Sequence, residues 1–163
     1  RTTTMGLGQA VLASAKAAAA GKSIDEIEKA SRDVCEKVKV LFVVDTLEYL
    51  HKGGRIGGAS RFLGTARGLK PLLHINDGRV DGLEKVRTKR KAIERMLELA
   101  GEYSNGQSVN VSVLHAAVPE EAEALKATVR ERFDCKDLVV TDLSPAIATH
   151  AGPGTLGLAI CTE

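Results

Sequence analysis

The segment Val38–Val44 reads VKVLFVV: β-branched, and apolar at every position but Lys39. A strand with one wet face alternates polar and apolar residues, so this run predicts a strand covered on both faces or nearly so. Elements must therefore pack around it, and the flanking sequence supplies them. Residues 4–20 predict a helix, with seven alanines between Ala10 and Ala20 and a stop at Gly21. Ser23 with Glu26 three residues later is a capping box, opening a second helix whose apolar face carries Ile24, Ile27, Val34 and Val38.

Beyond the strand, Asp45 or Thr46 is placed to cap a short helix through Leu47 and Leu50, stopped by Gly53-Gly54, and a second short helix is expected over Ala59–Arg67. Pro71–Ile75 and Arg79–Val86 predict a hairpin turned by Asn76-Asp77-Gly78. Thr88 caps a long helix that faces inward through Ile93, Met96, Leu97 and Ala100. Val109, Val111 and Val113 alternate with polar residues as a strand, and Pro119 suits the first turn of a helix lined by Ala122, Leu125 and Val129. Leu138–Thr141 and Leu156–Cys161 close the chain as strands. The expected fold is an α/β domain, two-layered, with a mixed sheet of about six strands and helices packed on it. No linker or repeat divides the 163 residues, so they predict one domain.

Charge and composition exclude several functions. A net charge of +2 is too mild to indicate nucleic acid, and an aromatic content of 3% without Trp leaves little surface for stacking bases. Cys35, Cys135 and Cys161 are odd in number, far apart and in no CxxC or Cys/His cluster, which supports neither a zinc site nor a disulfide framework. They read as free thiols of a reducing cytoplasm. No apolar run approaches the roughly 18 residues that span a bilayer, so no stable membrane anchoring is expected. No metal ligand set and no cofactor motif stands up either. Gly21-Lys22-Ser23 has the tail of a phosphate-binding loop, but Lys16 occupies the position of its first glycine and a helix stands where a strand is required. Gly152-Pro153-Gly154-Thr155-Leu156-Gly157 matches the dinucleotide fingerprint by letters, without the helix and acidic residue that must follow.

Two glycine-flanked segments remain, residues 44–59 and 149–157. In the first, Gly53-Gly54-Arg55-Ile56-Gly57-Gly58 frees the backbone around a guanidinium able to grip a carboxylate or phosphate, or else is a loop with a solvated arginine. In the second, His150 is a base, an anion ligand or a structural histidine. Beside it, Gly152, Gly154 and Thr155 form either an amide nest for an anion or a plain sharp turn. Lys85, Arg87, Lys89, Arg90, Lys91 and Arg95 cluster where a helix begins, the end that favours acids, so they are a solvated face, a docking site for an acidic partner, or a basic module for nucleic acid.

Taken together the motifs resemble the DegV family of bacterial fatty-acid-binding proteins. The segments that carry the resemblance are MGLG at Met5–Gly8, FVVDTLEYLHKGGRIGGA at Phe42–Ala59, LKPLL at Leu69–Leu73, EKVRTKRKA at Glu84–Ala92 and THAGPGTLG at Thr149–Gly157. The resemblance implies a lipid carrier rather than an enzyme, built of two α/β domains. A long-chain fatty acid puts its carboxylate at the domain interface and its acyl chain in the second domain. This chain is similar to that second domain alone. The first domain, with the Ser and Thr that hold the carboxylate, is then missing, and Arg1-Thr2-Thr3-Thr4 reads as an interdomain segment. The resemblance further implies a partner fatty acid kinase that phosphorylates the bound acid, with Arg55, Arg87 and His150 presenting the head group and docking that kinase. Candidate tunnel walls are Met5, Leu12, Phe42, Leu47, Leu50, Ile56, Phe62, Leu63 and Leu73. The rival reading is a phosphate-handling domain of a dihydroxyacetone-kinase-like enzyme, since glycine turns with arginine also suit phosphate.

Overall fold

The computed structural model describes residues 2–64 and 68–162. Six strands form one sheet in the order β3-β2-β1-β6-β4-β5. They are β1 (Lys39–Val43), β2 (Lys70–Asn76), β3 (Arg79–Val86), β4 (Val109–His115), β5 (Cys135–Asp142) and β6 (Leu156–Thr162). Six helices accompany them among the described residues: α1 (Thr4–Ala19), α2 (Ile24–Lys37), α3 (Glu48–Lys52), α4 (Lys89–Ser104), α5 (Pro119–Arg132) and α6 (Pro145–Ala151). A 3-10 helix spans Gly57–Phe62. The expected helix over Ala59–Arg67 is thus this tighter turn, and residues 65–67, like Arg1, lie outside the described residues.

The sheet is mixed, as expected. Among the described residues only β4 and β5, linked through α5, run parallel; β6 inserts antiparallel between β1 and β4. Local chemistry fixes the ends of the elements. Ser23 Oγ accepts from Glu26 N while Glu26 Oε2 accepts from Ser23 N, the reciprocal box read from the sequence. Thr88 Oγ1 accepts from Lys91 N at 3.2 Å to start α4. At the hairpin Asp77 and Gly78 both take positive φ, 45° and 77°, the turn whose twist matches that of its strands.

The pleat of β1 shows why its sequence is apolar throughout. Leu41 and Val43 face α4 and α5, in a core with Met96, Leu97, Val111, Leu125, Leu158 and Ile160. Val40 and Phe42 face the other way, toward Met5 of α1, Leu50 of α3, Ala59 and Ala151 of α6. Helices therefore cover both sides, and the layers number three rather than two.

Asp45 does not cap α3: Thr46 Oγ1 accepts from Glu48 N at 3.2 Å, while the Asp45 carboxylate is held by Lys70 Nζ at 2.8 Å. The short α6, with Pro145 in its first turn, is an element the sequence reading did not assign.

Candidate functional site

The two glycine segments, about a hundred residues apart in sequence, meet on the α3–α6 side of the sheet. Asp45, Tyr49 and Gly53 succeed each other at helical spacing and meet Gly154, Gly152 and His150 in turn. Each approach is too close for a side chain. A Cβ on Gly154 would lie 1.9 Å from Asp45 Oδ2, one on Gly152 2.4 Å from the Tyr49 ring, and one on Gly53 2.0 Å from His150 Nδ1. The glycines at these points are thus a requirement of contact between the segments.

This contact roofs a cleft of about 510 Å³, within the roughly 300–1,000 Å³ of ligand-binding cavities. Its floor is the sheet face: Val40 and Phe42 of β1, Ile75 of β2, Val80 of β3 and Leu114 of β4. Its roof is Leu50, Leu143, Ile147 and Ala151, and Thr3 and Thr4 also line it. Three basic side chains join this apolar lining: Arg55, His150 and Arg79. Arg55 and Arg79 are exposed, at the rim, and His150 is half-buried. No hydrogen-bond partner among the described residues reaches the buried His150 Nδ1.

The structure thus brings Arg55, His150, Thr155 and Leu50 to one cleft. Of the two readings of the glycine turn, an amide nest or a plain sharp turn, its two glycines follow the second. Gly152 N donates to Ala148 O at 2.8 Å and Gly154 N to Ala116 O at 2.9 Å, so both donors serve the fold, and neither glycine lines the cleft. Thr155 Oγ1 lies 2.8 Å from Gly152 O and 3.1 Å from Ala151 O, donating its proton within the same turn.

The expected walls divide. Phe42 and Leu50 line the cleft. Met5 and Ile56 pack in the apolar cluster around it without lining it, Leu73 is fully buried core, and Leu12 is half exposed. Leu47, Phe62 and Leu63 line a separate, shallower depression with His51 and Lys85. Val40, Ile75, Val80, Leu114, Leu143 and Ile147 are walls the sequence did not single out, because strand pairing puts the first four side by side and the packing of α6 and its lead-in over the sheet adds the last two.

Arg87 follows the last residue of β3, about 26 Å of extended chain from Arg79 at its first, and does not line the cleft. Much of its basic cluster is satisfied internally. Arg95 donates to Glu98, Glu84 and Glu102, Lys89 pairs with Glu121 at 2.8 Å, and Lys85 lies over the Phe62 ring. Three of these six cations are thus engaged within the fold, which weakens the nucleic-acid reading. Among the described residues no group of three or more His, Cys, Asp or Glu is placed to hold a metal ion. None of their helices is long and apolar enough to cross a membrane.

Phe42, Leu50, Arg55, His150 and Thr155 of the cleft lie in motifs that resemble DegV proteins, and the whole chain, residues 1–163, matches the family model "Uncharacterised protein, DegV family". The chain belongs to the DegV family. A DegV domain-containing protein of Streptomyces coelicolor is 42% identical over 160 residues, covering 98% of this chain and 57% of the relative. One from Clostridium acetobutylicum is 37% identical over 164 residues, with 100% and 57% covered. Among solved structures, a DegV family protein from Thermus thermophilus, named for its fatty acid binding, superposes with a TM-score of 0.93 at 31% identity, covering 98% of this chain and 58% of that one. DegV of Bacillus subtilis, named as a fatty acid binding protein, gives a TM-score of 0.83 at 31% identity, over 98% and 57%. This DegV chain thus spans a little over half the length of these relatives.

Proposed function

We propose that this chain binds a long-chain fatty acid in the cleft, the acyl chain on the sheet face and the carboxylate at the rim beside Arg55 and His150. One observation carries the reading: an apolar cleft of about 510 Å³ with two guanidiniums and an imidazole among its lining. Burial of methylenes at about 0.8 kcal/mol each gives a sixteen-carbon chain roughly 10 kcal/mol before ordering costs. A cationic rim adds charge-assisted hydrogen bonds to the anionic end. The names of the Thermus and Bacillus relatives support the same ligand class.

In the longer protein, this chain acts as the second of two domains, the first adding Ser and Thr hydroxyls around the carboxylate. The chain's coverage of little more than half of its relatives supports that division. The chain does no chemistry itself in this reading. It presents the carboxylate to a partner fatty acid kinase, which transfers the phosphoryl group, with Arg55, His150 and Arg87 on the docking side. In the two-domain protein supplied with kinase, ATP and magnesium, Arg55→Glu and His150→Ala should each abolish acyl phosphate formation while the circular dichroism spectrum is unchanged. Wild-type turnover in both variants would remove these residues from the reading.

A further inference from the structure

We infer that Arg79 is a second carboxylate-binding arginine of this cleft, acting together with Arg55, and that it makes the site select anionic over neutral long-chain amphiphiles. The inference rests on the fatty-acid reading and deepens it. It follows from the course of the loop Gly53–Gly57. At one end Gly53 is pressed against His150; at the other, a Cβ on Gly57 would lie 2.2 Å from Val80 O and 3.5 Å from Val80 N, the atom bonded to Arg79. Four residue steps separate these anchors, at most about 14 Å of chain. Arg55 sits midway between them. The loop therefore strings His150, Arg55 and Arg79 along one stretch of rim, and all three line the same cleft.

Arg79 has no competing structural task. It opens β3 opposite Asn76, is exposed, and makes no ion pair or side-chain hydrogen bond among the described residues. Arg61, the neighbouring arginine of the 3-10 helix, differs: it is tied to Asp81 at 3.1 Å and to Gly82 O. A guanidinium left unpaired at the edge of an apolar cleft keeps its donors for a ligand. Two such forks flanking one carboxylate can meet both of its oxygens.

The test compares two radiolabelled sixteen-carbon ligands, palmitate and hexadecanol, in equilibrium binding to the delipidated chain and to its Arg79→Gln and Arg79→Lys variants. Loss of a hydrogen bond to a charged group predicts that Arg79→Gln weakens palmitate about tenfold or more. Hexadecanol binding should stay within about twofold of wild type, and Arg79→Lys should recover part of the palmitate affinity by restoring the charge. An equal loss for both ligands would mean Arg79 only shapes the cleft and would overturn the inference. So would palmitate binding unchanged in Arg79→Gln, with the fatty-acid reading left standing. Failure of the wild-type chain to bind palmitate would overturn that reading and the role of Arg79 with it.

Discussion

Gly53→Ala is expected to dislodge His150 from the rim and weaken palmitate binding about tenfold or more, the effect of losing a hydrogen bond to a charged group, with little loss of stability. The backbone at Gly53 sits at φ −79°, ψ 0°, a conformation any residue adopts, so the substitution brings no backbone strain. The effect comes from space. The new methyl carbon would lie 2.0 Å from Nδ1 and 2.9 Å from Cε1 of His150, with Tyr49 O 3.1 Å away on another side. Nδ1 belongs to the root of the imidazole and cannot move aside without turning the ring. Combining Gly53→Ala with His150→Ala should then weaken palmitate no further than His150→Ala alone, because both act through one side chain. Additive losses in that cycle, or a wild-type affinity in Gly53→Ala, would contradict the assignment.

Gly154→Ala is expected to act on stability instead, costing roughly 2 kcal/mol or more in denaturant unfolding. Here the backbone itself forbids a side chain, at φ 81°, and the added carbon would stand 1.9 Å from Asp45 Oδ2. Asp45 cannot retreat without disturbing its 2.8 Å pairing with Lys70. Asp45→Ala in the Gly154→Ala background should recover part of the loss by removing the overlap, leaving the backbone penalty. A cost below about 0.5 kcal/mol, the scale of an ordinary surface change, would show that the two segments are not packed as described.

What could be read ahead of the structure was what local chemistry decides. The Ser23–Glu26 box, the Asp77-Gly78 turn, the Thr88 cap and the doubly apolar β1 each carry their cause within a few residues. α6 was missed although Ser144-Pro145 is a fair opening signal, because seven residues cannot sustain a helix by propensity and this one depends on packing against α3. The insertion of β6 between β1 and β4 is a choice among distant partners, which no local pattern records. The site divides in the same way. Arg55 and His150 were visible from their glycine settings. Arg79 resembled any residue after a tight turn until the Gly53–Gly57 loop was seen to cross beside it. The glycines of the 149–157 segment were visible too, as an amide nest or a plain sharp turn; their N–H groups serve Ala148 and Ala116, as the plain turn requires.

The most direct measurement of the central claim is the affinity of the delipidated chain for a homologous series of fatty acids from octanoate to palmitate, at fixed pH and salt. An apolar cleft that receives the acyl chain predicts one saturable site, whose affinity rises with length by up to about fourfold per methylene. Affinity that does not change with chain length, or the lack of a saturable site at any length, would contradict it.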